Sequence, residues 1–560
     1  MTGRPIGARG WRLALFLPLL LCQTLWAQIP EPQELTDQAI MAALDLYNRP
    51  GTVRMSGDSR IAAGSEIVGD LSVLEGVLII EGAVRGDVLV LNGDLELGPS
   101  ARIEGSATVI GGSFKAAEGA AVTRGIALYR GSFPYRVEND VLVRVARAEG
   151  SRVAELAAGR DFEFGRTDVI VTAGRGYNRV EGLPIYFGPR LTLGHSNPTV
   201  LEGLLTYRTS TGLDVDDDQL GYSVRVEQYL GGWRAVRVGA RAFSEITPIE
   251  LGGLSDRENS LAAFVLHRDY RDHYERDGWA AYVSVAPLNR AWSAGVEYAE
   301  QREGSLRARR PWSLLDNSKT WRPQPLAATG AVRSITVRGA YDSRNRDNDP
   351  SNGWWLSAAL ERALGGSLRT VTDSATTPAP RRFTDATIDL RRYARLGPNS
   401  RLAVRVELLG SVDGGALPVQ RQHALGGEGS LPGFELHRFD CGARHTSVRV
   451  NGQTYQRYYG CDRAALVQLE YQADLAFLRR LDSPIDPLGL LQRVRFAAFF
   501  DAGRAWNERD AAGSRGTGGS DFSADAGFGI RLGPVGVYWA VPLSGVGETM
   551  NFFIRLGPRI

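Results

Sequence analysis

From Asn178 onward the chain alternates apolar and polar residues, and the polar positions carry charge in segment after segment. In 463–475, Ala465, Val467, Leu469, Tyr471 and Ala473 share one parity, and Gln468, Glu470, Gln472 and Asp474 share the other. Val494, Phe496, Ala498 and Phe500 likewise oppose Arg493, Arg495 and Asp501, and Leu402, Val404, Val406 and Leu408 oppose Arg401, Arg405 and Glu407. A period of two is that of a β-strand. A soluble antiparallel sheet with one wet face has the same period. Three further features favour a membrane-spanning barrel: charge persists on the polar face, Trp233, Trp279, Trp292, Trp354, Trp506 and Trp539 lie near strand ends, and short turns alternate with long polar loops at 302–333, 364–381 and 412–462. The expected fold is all-β, a 16-stranded antiparallel transmembrane β-barrel over 178–560, its strands running from 182–193 to 550–557 and including one at 259–268.

The N-terminus sets the compartment. Arg4, Arg9 and Arg12 precede the apolar run Leu13 to Leu21 and a small-residue stop at Ala27, the pattern of a secretory signal peptide over 1–27. An uncleaved anchor is the alternative, but the run is shorter than the roughly 20 residues that span a bilayer. With Cys22 lost alongside the signal, Cys441 and Cys461 remain as a pair in an exported chain, and a disulfide between them is expected, with two free thiols as the alternative. A net charge of +2 excludes a strongly basic nucleic-acid binder, so no nucleic-acid partner is expected.

Between signal and barrel the texture changes twice. Residues 28–55 hold a short amphipathic helix, with Leu35, Ile40, Ala43, Leu44 and Tyr47 at helical spacing before Asn48, Arg49, Pro50 and Gly51. Over 56–127, short β-type runs are punctuated by Gly69, Gly86, Gly93 and Gly105 at spacings that suit a coil of about 17 or 18 residues, the requirement of a small parallel β-solenoid. The aspartates that follow Gly69, Gly86 and Gly93 read as turn residues. Residues 128–177 read as a connector with some strands of its own. The solenoid segment resembles the bactofilin, or polymer-forming, family in pattern.

Four segments of the barrel carry a second resemblance: YDSRNRDNDPSNGWWLSAAL at 341–360, LGGEGSLPGFE at 425–435, VRFAAFFDAGRAW at 494–506, and the closing GIRLGPVGVYWAVPL with FFIRLGPRI. YNRVEGL at 177–183 resembles the approach to the first strand in part of the same group. Together they resemble the bacterial surface antigen superfamily, the barrels related to BamA, TamA and two-partner secretion transporters. The resemblance implies that the longest loop, after strand eleven, is a sixth extracellular loop folded into the lumen, with a motif at Gly426, Gly427, Leu431, Pro432, Gly433 and Phe434. The family places Arg between the Leu and Gly of that motif, paired with acids on strands twelve and thirteen. Here Pro432 stands in that place, while the acids correspond to Glu470 and Asp501. Since a buried carboxylate without a partner is costly, lumen water with Arg493 or Arg495 is expected to satisfy them, in preference to Arg438.

The resemblance implies an outer-membrane protein, its N-terminal domain periplasmic, that assists insertion or translocation of proteins or lipids. Its partners would be outer-membrane lipid and client outer-membrane or exported proteins. The family's periplasmic client-receiving modules, called POTRA, are not recognisable before Asn178. The alternative is therefore an envelope anchor with a passive barrel and a self-associating solenoid. No nucleophile elbow, H-E-x-x-H helix or P-loop is present, so neither an enzyme nor a cofactor is expected. His437 and His445 near Asp440, and the acidic turn Asp214, Asp216, Asp217 and Asp218, read as solvated loop residues ahead of metal ligands.

Overall fold

The computed structural model describes residues 33–34 and 37–560 apart from 131–132, 134, 139–140, 145–154, 163–164, 175, 195–196, 213–218, 231–235, 251–252, 287–290, 308, 345–348, 398, 440, 442–446, 457–459, 475–493, 508–521 and 545–548. The signal peptide, Trp233, Arg493, Asp440, His445 and the acidic turn at 214–218 lie outside the described residues.

The glycine-punctuated segment folds as a parallel β-solenoid. Its coils stack through the pairs Val53↔Leu71, Leu71↔Val88, Val88↔Ala107 and Ala107↔Ile126, a repeat of 17–19 residues. Leu71, Val73, Leu78, Ile80, Val88, Val90, Leu95 and Val109 point inward and are buried against the coils above and below. The turn aspartates tie each coil to the next. Asp70 accepts from the Asp87 N–H at 2.8 Å, and Asp87 and Asp94 each accept a backbone N–H and a serine hydroxyl, from Ser106 and Ser113. Glycine is required at Gly105, where a Cβ would lie 2.3 Å from the carbonyl oxygen of Gly86 in the preceding coil.

The amphipathic helix, α1 (Asp37–Asn48), has its partner in this solenoid. Ile40, Ala43 and Tyr47 pack on Leu74, Leu89, Leu91 and Ile110.

Downstream, sixteen antiparallel strands follow one another in chain order from Gly165–Ala173 to Asn551–Leu556, and a further strand, Glu155–Phe162, flanks the first. The expected number is met by a different set of strands. Residues 259–268 are not a strand: 259–266 belong to helix α2 (Asp256–Leu266), which starts at a capping box in which the Ser255 hydroxyl accepts from the Glu258 N–H and the Glu258 carboxylate reaches back to the Ser255 N–H. The missing strand is Gly165–Ala173, inside the stretch expected to be a connector, and it pairs with Pro184–Leu193. The sheet therefore begins upstream of Asn178, and YNRVEGL follows a strand of the sheet as well as leading into one.

The sheet curls on itself. One polar cavity of about 590 Å³ is lined by Tyr186, Arg241, Glu297, Glu361 and Asp385, which come from strands far apart in the sheet order. The pattern of exposure is the reverse of a soluble sheet: Glu470 and Asp501 are 1% and 0% exposed, whereas Tyr471 and Phe500, one residue before or after, are 40% and 39% exposed. Charges inside and apolar side chains outside is the arrangement that hydrocarbon surroundings select. Inside, the ions pair with one another, as Arg405 does with Asp389 at 2.8 Å and Glu407 at 2.7 Å. Solenoid and sheet meet at the end of the sheet carrying the shorter turns. There Arg395 pairs with Asp94 and, at 3.3 Å, with Glu96.

Candidate functional site

The loop after Ser400–Ser411 reaches Arg463–Asp474 only after entering the space enclosed by the sheet. Its descent is fixed by charge. Arg421 pairs with Glu303 at 2.8 Å and Glu361 at 2.7 Å on two separate strands, the Ala424 N–H donates to Glu250 at 3.0 Å, and His437 lies between Glu250 and Asp272 at 3.7 and 3.8 Å. Glu250, on a loop, is pulled in two directions. Burial pushes its carboxyl up, but His437, the Ala424 N–H and His423 outweigh this and hold it below the usual carboxylate range.

The motif residues form the tip. Gly426 and Gly427 have φ of 116° and 87°, in the region that favours glycine, and a Cβ at Gly426 would meet the Glu435 carbonyl oxygen at 2.4 Å. This sharp turn lets the Gly427 N–H reach the carbonyl oxygens of Leu431 and Phe434, both at 3.1 Å. Leu431 and Phe434 are buried with Leu425, Cys461, Ala464, Leu466 and Ala505. The Gly433 N–H donates to Asp525 at 2.7 Å, and the Pro432 carbonyl accepts from Asn551 at 3.1 Å. The tip therefore bears directly on the last strand. At the loop's far end Cys441 and Cys461 form a disulfide with a Cα–Cα distance of 4.9 Å, and Cys461 pairs through its backbone with His423.

Glu470 and Asp501 are brought together, but neither by Arg495 nor by Arg438. Arg495 points to the other end of the strands, where it pairs with Asp474 at 2.8 Å and with Asp349. The cation that meets the two acids is Arg559. After Asn551–Leu556 the chain turns inward: Arg559 donates to both oxygens of Asp501, at 2.6 and 2.9 Å, and to Glu470 at 3.0 Å, with its guanidinium 4.0 Å from the Phe499 ring centroid. Ile560 then packs on Tyr393 and Ala403. Pro432 brings no cation to the pocket, and two buried carboxylates left unpaired would be strongly destabilising. The expected water-and-Arg495 solution is replaced by a direct, fully buried ion triad. Strand parity carried the signal, because Arg555 and Arg559 alternate with Phe552, Ile554, Leu556 and Ile560.

A second cluster joins three loops. Arg179, in the YNRVEGL segment, pairs with Asp269 at 3.1 Å and with Asp272, while Arg322 pairs with Asp272 at 2.6 Å. Burial raises the Asp272 carboxyl, but Arg322 and Arg179 outweigh it and hold the group far below the usual carboxylate range. Among the described residues no group of His, Cys, Asp and Glu is arranged to hold a metal ion.

A family model described as the Omp85 superfamily domain matches residues 247–557. Among solved structures, BamA from Haemophilus ducreyi lacking POTRA domains 1–3 is similar at 15% identity and a TM-score of 0.41, covering 73% of this chain and 75% of that one. CdiB from Escherichia coli is similar at 12% identity and a TM-score of 0.32, covering 76% and 66%, and CdiB from Acinetobacter baumannii at 11% and 0.28, covering 70% and 60%. A comparison with curated protein sequences finds no match.

Proposed function

This chain belongs to the Omp85 superfamily of outer-membrane barrels, and from that premise we propose that it assists the insertion or translocation of proteins, or of lipids, at the outer membrane. The observation that carries the reading is the seam. The described ladders end at Glu155–Phe162 on one side and Asn551–Leu556 on the other, and among the described residues no ladder joins these two edge strands. An edge strand offers unpaired N–H and C=O groups to another chain. The sixth-loop tip, held to Asn551 and Asp525, would keep this edge in place while a client strand pairs with it. Such a role makes and breaks no covalent bond and is non-enzymatic. The solenoid lies on the periplasmic side in this reading, docked through Arg395 where other members carry client-receiving modules.

Depleting the protein and quantifying the outer-membrane proteome tests the proposal. The expected result is loss of other barrels or of one exported client, and an unchanged composition would sink it. The docked solenoid favours a second reading, an envelope anchor whose solenoid binds periplasmic partners or itself. Deleting residues 30–170 separates the two: loss of client assembly supports the first, and loss of self-association with clients unaffected supports the second.

A further inference from the structure

Helix α2 lies against the edge of the last strand and against the segment that follows Gly165–Ala173. On one side Glu258 accepts from Arg555 at 2.6 Å and from the Leu556 N–H at 2.8 Å, so it satisfies a backbone donor of the last strand. On the other, the segment leaving Gly165–Ala173 presses on the helix: the Tyr177 N–H donates to the Ser260 hydroxyl at 2.8 Å, and a Cβ at Gly176 would lie 2.9 Å from the Asp256 carbonyl oxygen. A third support comes from the loop before Gly330–Asp342, where the Leu314 and Leu315 N–H groups donate to the carbonyls of Phe264 and Val265 at 2.8 and 3.0 Å.

With Glu258, Asn259 and Ala263 turned inward, the remaining face is apolar. Leu261 and Phe264 are 50% and 41% exposed, and Phe264 packs on Trp312 and Tyr177 at ring-centroid distances of 5.2 and 5.3 Å. Exposed Leu266, Trp312, Leu314 and Leu315 enlarge the patch. A patch of this size on a water-facing loop would be an aggregation liability. Its position suggests a different solvent. The helix borders the last strand, whose outward residues Phe552 and Ile554 are exposed apolar members of the lipid-facing band. Exposed Arg257 and Arg268 flank the stripe, each four residues from Leu261 or Phe264, where guanidinium heads reach lipid phosphates while apolar neighbours remain in the acyl region.

We propose that α2 is a lipid-contacting wedge: Leu261 and Phe264 meet the acyl chains of the bilayer beside the edge of the last strand, so that this edge is covered by a helix and lipid. Single-cysteine variants test this in the full-length protein, with its native cysteines kept in their disulfide. Leu261→Cys and Phe264→Cys, each labelled with nitrobenzoxadiazole and reconstituted in phosphatidylglycerol-containing vesicles, should emit at shorter wavelength than Ser374→Cys, whose parent side chain is exposed on the polar turn between Arg369–Val371 and Thr376–Pro378. Acyl-chain-brominated lipid should quench them at least twofold more than that reference. Quenching equal to the reference overturns the proposal, and so does a blue shift without bromine quenching, which would place the stripe against protein. If either variant loses heat-modifiable gel migration, Leu315→Cys on the adjoining turn carries the same test.

Discussion

Arg559 and Asp501, 58 residues apart, form a two-pronged ion pair inside the barrel, with donor–acceptor distances of 2.6 and 2.9 Å and both side chains fully buried. Family members supply this cation from the sixth loop. Here it comes from the residues after the last strand, and the loop tip, bearing Pro432, is held by Asp525 and Asn551 through its backbone alone.

Arg559→Gln should cost about 3–5 kcal/mol, the penalty for removing one partner of a buried pair, and lower the temperature at which the barrel loses its compact gel migration. Pro432→Arg alone should also destabilise, since the acids are already occupied. The double variant should recover part of the loss. Strict additivity of the two effects would show that the positions do not share one pocket.

The sixth loop should loosen as pH rises. Burial alone pushes the His423 imidazole down, but the Asp385 carboxylate 3.6 Å away, with Glu250 and Glu407, outweighs it and raises the group above its ordinary value. A raised histidine contributes stability that is fully present below about pH 6.5, the unfolded value, and is lost as pH climbs through the folded one. Thermal midpoints measured from pH 6 to 9 should fall across that window. His423→Gln should flatten the profile, and an equal slope in the variant would assign the effect elsewhere.

The bridge between Cys441 and Cys461 closes a separation of 20 residues, a constraint on the unfolded chain of about 3 kcal/mol in the chain-entropy account. Replacing both cysteines with serine should make the loop between residues 412 and 462 a protease target while the strands stay membrane-embedded. Equal cleavage rates with and without the bridge would contradict this.

Arg395→Glu places like charge against Asp94 and Glu96. Limited proteolysis between solenoid and barrel should rise several-fold, with the barrel's gel migration unchanged. Unaltered cleavage would mean that other contacts hold the two parts together.

Much of the architecture was legible from residue patterns because it is periodic. Alternation placed Glu470 and Asp501 on the lumenal parity, glycine spacing gave the solenoid repeat, and a lone cysteine pair in an exported chain gave the bridge. Two strand assignments failed for local reasons. NSLAAFVLHR is apolar enough to pass for a strand, although Ser255 and Glu258 just before it spell a helix start. In Gly165–Ala173 the inward positions Asp168, Ile170 and Thr172 are mixed in polarity, which blurs the alternation.

Sequence by itself determined that the chain has an outward apolar face and an inward charged face, and the family resemblance added that a cation is missing at Pro432. Which cation fills that vacancy, and what lies against the edge of the last strand, was decided by tertiary structure. Both depend on where the chain turns once its strands are laid side by side: the inward bend after Leu556 carries Arg559 to Asp501, and the loop before His273 carries Glu258 to the edge of the last strand. A period of two states which face a residue takes, but it holds no information about contacts made across a lumen by residues tens or hundreds of positions apart.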